Sequence, residues 1–363
     1  MPLIAIQSVP CPDTDTSPYG IATALFCGRL VRDRFNFLNQ YSNVHWIDSV
    51  DPIPSPDAAS MTDLMDRRAQ ELIAQGSVAV QWSGGVDSTS LLLALIRNGI
   101  KRDNLQILLD SNSISEYPRL FSWLQEEKYD CKVIKDWKTA LSTCDTDIIT
   151  NGWCADQLFG SMFFHEVPIL YDRSLEELFE ELFLLGKKIP EEDIQIAIEV
   201  FKQMGKELFD VDINIAAELG WLINFCLKWT WVSTFNELFL AGTENQFKTQ
   251  VFYNTPYFQS WAVNNFLEIH KNNVYGTDAS HYKKQLKEYC YSVFPDKDYL
   301  INKTKVPSWN STLSCRDPKQ TGLFEKIIFK TDKGYDVYKL PTYVPYQRLT
   351  ELEKEIFTKY CKQ

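Results

Sequence analysis

One stretch near residue 80 limits what this chain can fold into more than any other. Ser77-Val78-Ala79-Val80-Gln81-Trp82 is a short apolar run with the character of a buried strand. Ser83-Gly84-Gly85-Val86-Asp87-Ser88 interrupts it, and Thr89–Ile96 reads as the opening turns of a helix. A strand that breaks at two glycines and enters a helix aims the unsatisfied N–H groups of the first turn at one point, where the helix dipole favours an anion. Gly84 and Gly85 permit close approach, and Ser83, Ser88 and Thr89 are candidate hydroxyl donors. Asp87 would repel a phosphate unless a cation such as Mg²⁺ lay between them. No Gly-x-x-x-x-Gly-Lys-Ser/Thr pattern occurs, so this is not a Walker A loop.

The flanking segments repeat the strand–helix alternation. Ser60 is a candidate N-cap for a helix carrying Met61, Leu64, Met65, Ala69 and Leu72. Leu105–Asp110, Cys131–Ile134 and Asp147–Thr150 read as further strands, with a helix around Tyr117–Glu127. This alternation predicts an α/β fold, a parallel sheet with helices on both faces. Ligands of such sheets bind beyond the carboxyl ends of the strands, where Ser83–Ser88, Asp110–Ser113 and Asn151–Asp156 would gather. From Ser174 to Leu240 the pattern becomes helical, and Trp221, Trp229 and Trp231 read as helical core. Lys326–Lys330 and Tyr335–Tyr338 read as a hairpin. The expected division is a short N-terminal section over 1–58 and a main domain over 59–310. Within that domain, 75–165 would bind nucleotide and 170–310 would be helical. A C-terminal extension over 311–363 would carry the hairpin.

Composition excludes several classes of function. A formal charge of −11 argues against general nucleic-acid binding, although Lys283, Lys284, Lys287, Lys297, Lys303 and Lys305 could form a local basic groove. Nine cysteines, none spaced Cys-x-x-Cys, suggest free thiols rather than a disulfide framework or a zinc ribbon. Four histidines show no metal-binding spacing. No membrane span or leader is evident, so a cytoplasmic location is expected.

Ser83-Gly84-Gly85-Val86-Asp87-Ser88 resembles the Ser-Gly-Gly-x-Asp-Ser loop of the ATP pyrophosphatase, or PP-loop, superfamily. The resemblance implies an adenine nucleotide α-hydrolase-like fold with a five-stranded type of parallel sheet. It further implies cleavage of ATP between the α and β phosphates, adenylation of a substrate oxygen, and retention of pyrophosphate by this loop. A second stretch, Asn151-Gly152-Trp153-Cys154-Ala155-Asp156-Gln157-Leu158-Phe159-Gly160, is similar to Gly-Glu-Gly-Ala-Asp-Glu-Leu-Phe-Gly-Gly of the asparagine synthetase family. The matching positions are Ala155, Asp156, Leu158, Phe159 and Gly160. That likeness assigns Asp156 to join Asp87 on Mg²⁺. Lys283-Lys284-Gln285-Leu286-Lys287-Glu288, Phe294-Pro295-Asp296 and Asn302-Lys303-Thr304-Lys305 resemble the same family's Lys-x-x-Leu-Arg-Glu, Leu-Pro-Glu and Arg-x-Lys series. The likeness puts the catalytic lysine at Lys303, with Lys305 as fallback, and makes Lys283 a second phosphate-facing lysine. Adenine would lie around Leu109–Ser111, with Asp110 among its contacts.

The departures are specific. Pro2 stands where a glutaminase would carry its cysteine, and the section ahead of residue 59 is short for a glutaminase domain, so a separate ammonia donor is one conceivable partner. Trp153 occupies the place of a family glutamate that handles the amine; related β-lactam-forming synthetases have tyrosine there. Tyr253–Phe258 keeps only a proline and an aromatic of the family's Arg-Val-Pro-Phe-Leu-Asp segment, with Asn254 for its arginine and Gln259 for its aspartate. Taken together, the motifs imply an AMP-forming carbon–nitrogen ligase that uses ATP and Mg²⁺ on a small carboxylate and an amine, with Asp156 and Lys303 catalytic. Ser83, Gly84, Gly85, Asp87, Ser88, Asp110 and Lys283 would bind nucleotide. The rival readings are nucleobase or tRNA modification and a non-catalytic ATP-binding homologue.

Overall fold

A computed structural model describes residues 3–6, 17–25, 33–41, 51–54, 59–160, 173–184, 190–229, 232–233, 240, 242–272, 283–303, 326–331 and 334–339. Lys305, Trp231 and the expected turn at 332–333 lie outside these residues. The described strands are β1 (Leu3–Ile6), β2 (Val78–Gln81), β3 (Leu105–Leu109), β4 (Asp130–Val133), β5 (Ile148–Asn151), β6 (Thr249–Val251), β7 (Lys326–Thr331) and β8 (Gly334–Lys339). They belong to two compact units, one of residues 54–159 and 232–306, the other of residues 1–53, 160–231 and 307–363. Compactness therefore does not follow chain order: residues 160–231 group with both chain ends.

The first unit holds a five-stranded, wholly parallel sheet in the order β4-β3-β2-β5-β6. Four strands stand where the apolar runs predict them. β6 is a fifth, and the three-residue Thr249-Gln250-Val251 has no apolar run that would betray it. Chain order runs outward from β2 in one direction through β3 and β4, then restarts on its other side with β5. The β2–β5 boundary is thus the switch point at which ligands of such sheets settle.

Helix Met61–Ile73 starts at Ser60 through a capping box with Asp63 and buries Met61, Leu64, Met65, Ala69 and Leu72. Helix Val86–Arg97 is apolar nearly all round, with Leu91, Leu92, Leu93 and Leu95 fully buried. It has to be, because it packs against β2, Met61–Ile73 and helix Lys284–Val293. Asp66 knits these three helices at their surface, accepting from Tyr289 Oη at 2.5 Å and Asn98 Nδ2 at 2.9 Å and facing Arg97 Nε at 3.3 Å. On the other sheet face Ala79, Leu108 and Ile149 pack with Leu141, Cys144 and Leu240. Asn245 closes helix Trp137–Ser142 by donating to Leu141 O and Cys144 O, each at 2.8 Å.

The second unit contains helices Pro18–Leu25, Leu175–Leu184, Glu191–Phe209 and Ala216–Ile223, the last running into a π-turn over Asn224–Lys228. Its antiparallel sheet has the order β1-β7-β8, with β7 and β8 paired from Lys326↔Lys339 to Thr331↔Gly334. Trp221 and Phe225 stack at 4.8 Å, and the Arg34 guanidinium lies 4.5 to 4.6 Å over Phe35, Phe225 and Trp229. Trp221 and Trp229 are buried here as helical core. Among the described residues no helix is long and apolar enough to cross a membrane.

Candidate functional site

The loop after β2 is braced by its own serines. Ser88 Oγ accepts the Ser83 N–H at 3.0 Å, lies 2.9 Å from Ser83 Oγ, and donates to Gly85 O at 3.2 Å. Gly85 is the N-cap of helix Val86–Arg97, so the first-turn N–H groups face the loop. Gly84 has φ +77°, and a Cβ there would lie 2.6 Å from both Ser113 O and Glu116 Cβ. Only glycine meets both demands, the left-handed backbone and the contact with helix Ser111–Glu116. The loop after β5 comes equally close from the other side. A Cβ on Gly152 would sit 2.7 Å from Asp87 C and from Ser88 N.

These two loops bring Asp87 and Asp156 to one cation. Lys283 Nζ donates to Asp156 Oδ1 at 2.6 Å and also to Asp87 Oδ1. Its side chain is 3% exposed, against 26% for Asp87 and 21% for Asp156. Burial opposes a charge on Lys283, but Asp156 and then Asp87 outweigh it, so its pKa is raised above the ordinary lysine value. Lys283 reaches inward from a left-handed residue, φ +51°, immediately before helix Lys284–Val293.

A second lysine flanks the loop. Lys303 Nζ donates to Glu116 Oε1, at the end of the helix against which Gly84 packs. Burial pulls the Lys303 pKa down to about 8. The segment ending in Lys303 is fixed by aromatic stacking and a shared carboxylate. Tyr117 and Tyr299 stack at 4.0 Å, and Tyr117 Oη donates to Asp296 Oδ2 at 3.2 Å. Asp296 also caps helix Lys297–Asn302 and pairs with Arg119 at 3.0 Å. Tyr299 Oη reaches Gly84 O at 3.4 Å.

The structure therefore brings together Ser83, Gly84, Gly85, Asp87, Ser88, Asp156 and Lys283, with Lys303 beside them on Glu116. Asp110 stands at the end of β3 as the N-cap of helix Ser111–Glu116, its Oδ1 accepting from Ser113 N at 2.8 Å. Two expectations need correction. Thr89 is fully buried and accepts the Trp82 indole N–H at 3.0 Å, so its side chain belongs to the core and not to the loop. Among the described lysines of the expected basic groove, Lys283 and Lys287 are buried and Lys284 pairs with Glu288 at 3.7 Å, so these three do not line an open basic surface. Several residues escaped the sequence reading. Tyr253 Oη lies 2.6 Å from Ser90 Oγ and donates to Asp87 O at 3.3 Å, so Tyr253 braces the start of the helix that carries Asp87. Glu116 and Tyr299 belong to the same group. Gly152 had a usable signal, a glycine directly after a strand facing a second Gly loop.

Mg²⁺ is commonly held by one or two carboxylates completed by phosphate oxygens. Asp87 and Asp156 fit that role, because both already turn an oxygen toward one cationic centre. Among the described residues no group of three His, Cys, Asp or Glu side chains could hold a metal without such help.

No protein-family model matches this chain, and no curated protein matches it. Among solved structures, the U34-tRNA thiolase NcsA from Methanococcus maripaludis with its 4Fe-4S cluster is similar at 10% identity, covering 69% of this chain and 90% of that one, with a TM-score of 0.23. A likeness at that level carries no argument about this chain's activity.

Proposed function

We propose that this chain is an ATP-using enzyme of the PP-loop type that splits ATP between the α and β phosphates and adenylates a substrate oxygen. The observation that carries this reading is the convergence of Asp87, Asp156 and Lys283 at the mouth of a glycine loop on the β2–β5 switch point. In the reaction a substrate oxygen attacks the α-phosphorus, the bond from that phosphorus to the bridging oxygen breaks, and pyrophosphate departs with the electron pair. First-turn N–H groups and the Ser83 and Ser88 hydroxyls would bind the departing pyrophosphate. Mg²⁺, bound by Asp87 and Asp156, would neutralise phosphate charge. Lys283, released from one carboxylate, could then donate to a phosphate oxygen. Lys303 offers a second cation for charge developing at the α-phosphate.

For the second half-reaction the motif series supports amide formation. An amine nitrogen attacks the acyl carbon, the bond to the AMP oxygen breaks, and the amine gives its proton to a base. A second reading is nucleobase modification, the class to which the tRNA thiolase belongs; it shares the adenylation step and differs in the oxygen activated. Incubation with ATP, Mg²⁺ and a metabolite extract or bulk tRNA should release AMP and pyrophosphate, and Asp156→Ala should abolish the release. Formation of ADP and phosphate would overturn the proposal, and the pool that supports turnover separates the two readings.

A further inference from the structure

Gln81 and Asn151 are the last residues of β2 and β5, and they are partners in the parallel register. Register partners on neighbouring strands project from the same face about 5 Å apart. Two residues earlier Ala79 and Ile149 are likewise partners, and both enter the apolar cluster on that face. Both terminal amides keep a buried N–H₂ group with no hydrogen-bond partner, Gln81 Nε2 and Asn151 Nδ2. The orientation of Asn151 is set from outside: its Oδ1 accepts the Trp153 N–H at 3.1 Å, which leaves the nitrogen as the end without a partner. Asn151 is 1% exposed. Buried donors are rarely left unmatched, and these two stand at the switch point, on the strands that launch both the Ser83–Ser88 loop and the loop leading to Asp156.

We propose that Gln81 and Asn151 form a two-donor seat for an uncharged carbonyl oxygen of the substrate, of the kind an amide or lactam carries. The proposal rests on the adenylation reading above and deepens it by naming a substrate class. Two neutral N–H₂ groups match the two lone pairs of one sp² oxygen. A carboxylate is disfavoured in this seat because two uncharged N–H₂ groups bring no opposite charge to offset the burial of an anion.

The test follows the side-chain amide ¹H–¹⁵N signals of Gln81 and Asn151, assigned with Gln81→Met and Asn151→Asp. The latter keeps an acceptor for Trp153 while removing the donor. Acetamide, sodium acetate and AMP are the probes, applied separately. Acetamide should move both signals saturably, acetate should bind at least about tenfold more weakly, and AMP alone should leave them in place; Gln81→Met should weaken acetamide about tenfold, the scale of one lost hydrogen bond. Signals indifferent to acetamide would make the pair a seat for structural water and overturn the proposal. So would a stronger response to acetate or a response to AMP alone. ATP·Mg²⁺ binding, measured on the same samples, separates the two levels: it should persist in Gln81→Met, and its absence from the wild type would refute the adenylation reading whatever acetamide does.

Discussion

Replacing Lys283 with methionine removes one ammonium from between Asp87 and Asp156 while keeping most of the buried stem. The substitution adds no backbone strain, since lysine and methionine are equally disfavoured at φ +51°. Breaking a fully buried ion pair from one side costs about 3–5 kcal/mol. Here the carboxylates keep 26% and 21% exposure, so water recovers part of that cost and the expected loss is about 3 kcal/mol. The sign with pH is definite. A lysine whose folded pKa is raised contributes fully below its ordinary value and loses the contribution only as pH rises through the folded pKa, so pH 7.5 lies on the plateau. Urea unfolding at that pH should show the loss as a lower midpoint with unchanged slope, and Tm should fall by about 6–12 °C for a unit of this size. Millimolar Mg²⁺ should then restore much of the variant's stability and leave the wild type little changed, because the metal occupies the vacated place between the carboxylates. A change below about 0.5 kcal/mol, or no response to Mg²⁺, would refute the view that these carboxylates share one cation-binding centre.

Gly84→Ala should abolish ATP binding and destabilise by more than the roughly 1–2 kcal/mol of left-handed strain, because the new methyl meets Ser113 O; calorimetry and urea unfolding check both parts. If the Lys303 cation serves adenylation, kcat/KM should fall as pH rises through about 8, and Lys303→Arg should remove that alkaline limb; a flat profile across pH 7–9 in the wild type would contradict it. Burial holds His270 neutral and pulls its pKa down to about 3, so stability should fall as pH drops below the ordinary histidine value near 6.5, by about 2 kcal/mol between pH 6.5 and 5. His270→Phe should flatten that part of the stability–pH curve, and an unaltered slope would show that His270 is not its source.

What the sequence reveals here is what lies close together along the chain. The strand β2, the break at Gly84 and Gly85, and the helix after it are contiguous, and each has its own periodicity or turn signal. Ser60 announces a helix start in the same way. Partners far apart in sequence leave no such trace. Glu116 meets Lys303, Tyr253 meets Ser90, and Tyr299 meets Gly84 only through the tertiary fold. Lys283 was legible through its motif, but its place between two aspartates depends on three separate loops and a left-handed residue. β6 is three residues of mixed polarity whose strand character comes from pairing with β5. The misreading of Thr89 has a local cause: a hydroxyl next to the loop serves the loop or the core according to a single helical step. Lys283, Lys284 and Lys287 do not share one exposed face because neighbours in sequence point around a helix, and Lys283 and Lys287 are buried.

Pyrophosphate binding tests the central claim most directly, since it needs no knowledge of the substrate. Titration of the protein with pyrophosphate and Mg²⁺ in a calorimeter should show saturable binding at one site, lost in Gly84→Ala and in Asp87→Ala while circular dichroism shows both variants folded. Equal binding by those variants, or none by the wild type, would contradict the assignment of Ser83–Ser88 as the loop that holds the pyrophosphate of ATP.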